Sequence, residues 1–421
     1  MLLKNQKTLQ FLIKLYVLDF LYSGFIRGMF GGQVSRILFF DRLIITIILC
    51  ALAINQPKIY RNSFYFITMY VLFFYQIISL FSHKIDTITF IYGLYLYALP
   101  VLLVILINRI SQIEIFSIAK KLFIFALPFN LVLSFLQTEF GIRFNKVIEI
   151  DNPLTTFAGV IRAMGSFSSP AGLAIYLQIV FVILLVESRK NQLKKSKYLR
   201  ANIVQFSTIV FLSGSRTVIF SCAFIFTFYL IFALIANIDF RMPNLGFLFL
   251  LSAGFFTASL ISPKVVNAFK IRFVTANSID DPLSRFVSIL IPKTFKNDLL
   301  GEGLGARALG SVYSSNKREI YARWIEYDNA RILIEGGLAI FILIVIMKFY
   351  IFVKYFIVLK KTVDVEKEIL TLFLAVIICN IFTSQIFGQG TISSGFWLCV
   401  IICENIYSRY RINVKNDTHV Q

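Results

Sequence analysis

Three arginines and one aspartate stand in phrases whose residue types suit phosphate and hydroxyl chemistry. Arg162 opens Arg-Ala-Met-Gly-Ser-Phe-Ser-Ser-Pro-Ala-Gly, where Gly165, Pro170 and Gly172 shape an entry into a helix. Arg216 follows Ser213-Gly214-Ser215, and Gly214 permits a tight turn between two apolar runs. It stands at or near the start of the next helix, where free N–H groups already favour an anion. Arg285 lies in Asp281-Pro-Leu-Ser-Arg285-Phe, upstream of Gly301-Glu-Gly-Leu-Gly305. A planar guanidinium donates two bonds at once to a phosphate, so the expected ligand class is a pyrophosphate at a membrane surface. Asp328 is the candidate general base for an acceptor hydroxyl, with Glu326 and Glu335 as alternatives. Plainer roles compete: an interfacial anchor for Arg216, a helix cap for Asp328, a snorkelling side chain for Arg331.

The elements that must position these residues are apolar runs. Of 421 residues, 58% are hydrophobic and 15% charged, and the mean hydropathy is +0.78. Soluble domains carry about 45–50% apolar and about 25% charged residues. An all-α polytopic integral membrane protein is therefore expected. The net charge of +20 lies in the connections, as the positive-inside rule requires, so a nucleic-acid partner is excluded. Cys50, Cys222, Cys379, Cys399 and Cys403 all lie in apolar runs, and the two histidines are His83 and His419. Neither a disulfide framework nor a metal site is expected, and no cofactor. Gly301 to Gly305 lacks the spacing of a dinucleotide fingerprint and reads as a turn.

A spanning helix needs about 20 apolar residues. About 12 transmembrane helices are expected, near 9–29, 37–54, 64–81, 88–107, 116–137, 170–187, 202–214, 216–236, 244–262, 330–353, 369–387 and 393–407. The first run carries Lys14 and Asp19 and is expected to stay on the chain as a weak span. Basic connections at 55–63, 108–121, 188–201 and 354–368 belong to the cytoplasm, with both termini. Residues 30–36, 82–87, 138–169, 213–216, 263–329 and 388–392 then face outward, leaving Arg27 and Arg36 as discrepancies on the outer side. The chain is one membrane domain, 1–421, and 263–329 is its large outer loop, a lid with an amphipathic helix near 284–296. Tyr321, Trp324 and Tyr327 within it could stack on sugar rings.

With these phrases in hand, the chain resembles the O-antigen polymerase and O-antigen ligase superfamily. IRAMGSFSSPAGLA, FLSGSRTVIF, SRFVSILIPKTFKNDLLGEGLGA and DNARILIEGGLAIFI carry the resemblance, from about Ile161 to Ile342. It implies a GT-C-type, metal-independent glycosyltransferase of the bacterial inner membrane, its site facing the periplasm. The implied substrates are undecaprenyl-pyrophosphate-linked glycans, with membrane lipids and a chain-length regulator as further partners. By position, Arg216 would hold the donor pyrophosphate, with Arg162 and Arg285 facing the same cavity; Asn329 and Glu335 join the substrate-binding set. Ligases usually carry His-Asn where this chain has Asp328-Asn329, and that departure favours a polymerase. A ligase, and then a lipid-linked oligosaccharide flippase, are the alternatives. A transporter would show repeated halves and charges deep in several spans.

Overall fold

A computed structural model describes residues 2–30, 41–54, 63–82, 85–107, 109–110, 112–142, 156–157, 160–190, 196–235, 245–268, 270–271, 299–307, 328–359, 364–383, 386 and 390–418. Among the described residues, helices lie in each of the twelve apolar segments. They are α1 (Leu2–Phe30), α2 (Asp41–Ile54), α3 (Ser63–Phe81), α4 (Thr87–Gly93), α5 (Leu99–Ile107), α6 (Ile115–Phe140), α7 (Pro170–Lys190), α8 (Lys197–Leu212), α9 (Arg216–Ile235), α10 (Leu245–Ile261), α11 (Asp328–Leu359), α12 (Asp364–Thr383) and α13 (Gly390–Thr418). Among the described residues, six helical segments are long and apolar enough to cross a membrane: 6–30, 63–81, 87–107, 115–140, 170–188 and 328–359. In hydrocarbon the backbone must satisfy its own hydrogen bonds, which is why apolar runs of this length fold as helices.

The core lies around α7, α12 and the first half of α13. In α7 83% of the apolar window is buried, against 33% in α3, so α7 is central and α3 peripheral. Outward faces carry Phe74, Phe125, Phe249 and Phe349, as a hydrocarbon solvent allows. Helices α8 and α10 cross closely, because a Cβ on Gly254 would meet the Ser207 hydroxyl. A small hairpin, β1 (Thr156–Phe157) on β2 (Val160–Ile161), delivers the chain to Arg162.

Helices α4 and α5 form one rod interrupted by a π-helical turn, Leu94–Ala98. The Leu99 N–H bonds the Leu94 carbonyl, five residues back, and Pro100, one residue on, has no N–H with which to resume the ladder. The turn places Tyr95 against Gly390 and sends Tyr97 to Glu335.

The first helix is anchored by the charge that made it look weak. Asp19 pairs with Arg42 of α2, both side chains below 10% exposure. Arg42 also donates to the Gly390 carbonyl at 2.9 Å and to the hydroxyls of Ser394 and Ser23 at 2.6 and 2.7 Å. Arg27, expected at the outer rim, is instead buried and bonds Ser23 Oγ at 2.8 Å; Arg36 lies outside the described residues. A second correction concerns Lys354, expected in a cytoplasmic connection. It belongs to α11, is 8% exposed, pairs with the fully buried Glu404, and stands 4.9 Å from the Tyr407 ring and 5.0 Å from that of Tyr65. Hydropathy alone misplaced Lys354, since a paired cation can lie where a lone one cannot.

Asp19→Ala or Arg42→Ala leaves one buried charge without its partner and should cost about 3–5 kcal/mol. The double substitution with leucine should recover much of that loss. Thermal melting in detergent, followed by tryptophan fluorescence, reads both effects.

Candidate functional site

The loop 299–307 and the start of α11 form one interlocked unit. α11 is broken at Gly337, whose φ of 68° and ψ of −175° interrupt the helical ladder. Such a conformation is essentially closed to residues with a Cβ. The break frees carbonyls, and the loop supplies donors for them: Glu302 N–H reaches the Ile334 carbonyl at 2.8 Å, and Gly303 N–H reaches that of Glu335 at 2.7 Å. Tyr75 of α3 adds its hydroxyl to the Glu335 carbonyl at 2.9 Å. The fit leaves no room, since a Cβ on Gly301 would stand 2.3 Å from the Ile334 oxygen.

Glu335 closes the unit from the side chain. Its carboxylate is fully buried and accepts from Tyr97 at 2.7 Å, Gly305 N–H at 3.0 Å and Arg307 N–H at 2.7 Å. Arg331 stands 3.8 Å away. A buried carboxylate is costly unless its charge and lone pairs are met, and here they are. Glu335 is thus the anchor of the loop. Within the loop, Arg307 donates to both oxygens of Glu302 at 2.7 Å, and those bonds raise the guanidinium pKa above its ordinary value.

About two turns before Glu335, Asp328 opens α11 at 6% exposure. Its Oδ1 accepts from Arg331, and Oδ2 lies 3.8 Å from Lys348 Nζ. Lys348 also donates to the Asn329 side chain at 3.3 Å. Arg331, expected to snorkel at the surface, is fully buried between Asp328 and Glu335. The two carboxylates that flank it stabilise a cation that lipid headgroups would otherwise have to meet. Asp328, Asn329 and Glu335 are therefore brought together, in a cluster completed by Arg331, Lys348 and Tyr97. Sequence reasoning missed Lys348 and Tyr97, which sit in apolar runs with no local motif. The i, i+3, i+7 spacing of Asp328, Arg331 and Glu335 was the available signal for one shared helical face.

The arginines come from other elements. Arg216 is the first residue of α9, half-buried, two residues after Gly214 with its φ of +58°, so the tight turn is present. Arg162 follows β2, half-buried, where the chain turns through Gly165. That turn is held by Gln137, whose Oε1 accepts from the N–H groups of Met164 at 2.8 Å and Gly165 at 2.9 Å, and it packs on Gly24 of α1. Arg285, Glu326, Tyr321, Trp324, Tyr327 and the amphipathic stretch 284–296 lie outside the described residues.

Below Arg216 runs an apolar groove of about 520 Å³ between α7, α8, α9 and α10. Ile219, Ala223 and Phe226 form its α9 wall, at i+3, i+7 and i+10 from Arg216, so the arginine heads the same helical face. Phe206, Val210 and Phe211 of α8 and Phe247, Leu251 and Phe255 of α10 face them.

Gly337→Ala should cost roughly 1–3 kcal/mol in local order from backbone strain alone, before the clash with the Leu299 carbonyl 2.3 Å away. Amide hydrogen exchange at Gly303, Gly305 and Arg307 should then rise about tenfold or more, with the α7 core unchanged. Glu335→Gln should raise exchange at either Gly305 or Arg307, because one accepting oxygen becomes a donor.

No protein family, curated protein or solved structure matches the chain.

Proposed function

We propose that the chain is a glycosyltransferase that polymerises oligosaccharide repeat units carried on undecaprenyl pyrophosphate, at the periplasmic face of the bacterial inner membrane. One observation carries this reading: a guanidinium at a helix N-terminus heads an apolar groove along its own helical face. An anion with a long hydrocarbon tail is the ligand such a pairing suits. The presence of helix in all twelve apolar segments supports a twelve-span arrangement, which in this reading is of GT-C type.

In the proposed reaction the acceptor hydroxyl oxygen attacks the anomeric carbon of the donor glycan. The bond from that carbon to the pyrophosphate oxygen breaks, and the lipid pyrophosphate leaves with the electron pair. Arg216, with Arg162 and Arg285, binds the leaving anion, whose charge a fixed guanidinium stabilises without needing a proton. Asp328 takes the acceptor proton, on the oxygen that faces Lys348, while Arg331 holds the other oxygen in place. Asn329 contributes to acceptor binding in this reading. A chain-length regulator would set how many cycles follow.

Lipid-linked oligosaccharide transport is the second reading, and one observation favours it. Charges are buried in α1, α2, α11 and α13, as a transporter's are. Each of these pairs with another protein side chain, which fits a static clasp as well.

The experiment is complementation of a deletion strain, with polymer length read on a gel. Arg216→Ala should remove long polymer and leave single repeats, a loss of at least about 100-fold on the scale of a removed transition-state donor. Arg216→Lys should retain a fraction, since the charge survives without the fork. Asp328→Asn should cut polymerisation comparably while leaving the carrier lipid bound. Long polymer left on the carrier would indicate a ligase. Undiminished polymer with Arg216→Ala overturns the assignment.

A further inference from the structure

The other end of α8 carries a second, separate cleft. Residues 188–201 hold six bases, Arg189, Lys190, Lys194, Lys195, Lys197 and Arg200, and no acid. α8 begins within this stretch, capped by Ser196, whose hydroxyl accepts from the Leu199 N–H at 3.2 Å. Beside its first three turns and α10 lies a cleft of about 560 Å³ lined by Lys197, Arg200, Ala201, Val204, Gln205 and Leu250.

The lining is layered. Lys197 and Arg200, at i and i+3, are exposed at the rim. Ala201, Val204 and Leu250 form an apolar wall. Gln205 lies five residues beyond Arg200, about 7.5 Å deeper along the helix axis. Its Oε1 is buried and has no hydrogen-bond partner. A polar atom left unpaired in an apolar wall costs free energy, and a rotation of the amide toward a ligand's polar layer would offset it. Tyr198, 86% exposed beside the rim, has the amphipathic character of an interfacial residue.

We propose that this cleft binds one anionic phospholipid of the adjoining leaflet, the cytoplasmic one in the orientation set by the basic connections. The phosphate lies between Lys197 and Arg200, the glycerol-ester layer with its bound water meets the Gln205 amide, and an acyl chain runs along Val204 and Leu250. A soluble phosphate would use the rim alone and leave the wall and the amide uncovered. A zwitterionic lipid would bring its own cation against Lys197 and Arg200.

The test is native mass spectrometry of the full chain released from mixed phosphatidylglycerol and phosphatidylcholine. Wild type should retain one phosphatidylglycerol in preference to phosphatidylcholine. Lys197→Gln with Arg200→Gln should weaken that retention about thirtyfold, from roughly 1 kcal/mol for each base near an anionic surface. Gln205→Leu should weaken it a few-fold, and the double variant should melt as wild type does, because the rim residues are exposed. Equal retention of the two lipids, or retention unchanged in the double variant, overturns the proposal in favour of annular lipid. Displacement of the lipid by inorganic phosphate overturns it in favour of a bare anion site.

Discussion

A helix broken inside a membrane protein must find partners for the backbone groups it frees, and that constraint organises this chain. The break at Gly337 leaves the Ile334 and Glu335 carbonyls without their helical donors. Water is not at hand in the buried interior to replace them, at a cost of several kcal/mol each if unmet. The 299–307 loop meets them with backbone N–H groups, and Glu335 returns the exchange by accepting from the same loop. The loop therefore has a fixed register on α11. Through Arg331, bound to both Glu335 and Asp328, that register extends to the first residue of the helix. Asp328 is positioned by the same network that closes the break.

The π-helical turn at Leu94–Ala98 connects this unit to the rest. Its Tyr97 ends on Glu335, while Tyr95 packs against Gly390, the residue whose carbonyl accepts from Arg42. Two buried ionic groups, Asp19–Arg42 and Asp328–Arg331–Glu335, thus flank one rod of the bundle. Neither is readily lost, because removing one charge would strand another in a low-dielectric interior. Such pairs hold helices in one arrangement where hydrophobic packing alone, in a hydrocarbon solvent, does not discriminate strongly.

Much of the helical layout was legible in the sequence because apolar length and glycine placement act locally. The apolar segments, the turn at Gly214 and the reading of Gly301–Gly305 as a turn all rest on signals within a few residues. Pairing is not local. Nothing near Arg331 in sequence tells a snorkelling arginine from one neutralised by Asp328 and Glu335, although their spacing places all three on one face. Arg42 meets Asp19 and Ser394 across 23 and 352 residues, which no periodicity reveals. Lys354 went astray for the same reason, since its partner Glu404 lies on another helix. Glu335 reads in the sequence as an alternative base, but its work as a loop anchor depends on backbone N–H groups, which carry no residue-type signature.

The central claim is that the chain breaks the bond between a glycan and its lipid pyrophosphate. The most direct measurement is release of undecaprenyl pyrophosphate by the purified protein in liposomes supplied with lipid-linked oligosaccharide and a chelator. The account predicts one lipid pyrophosphate released for each glycosidic bond formed, with release abolished by Arg216→Ala. Movement of intact lipid-linked oligosaccharide across the bilayer with no pyrophosphate released would contradict it.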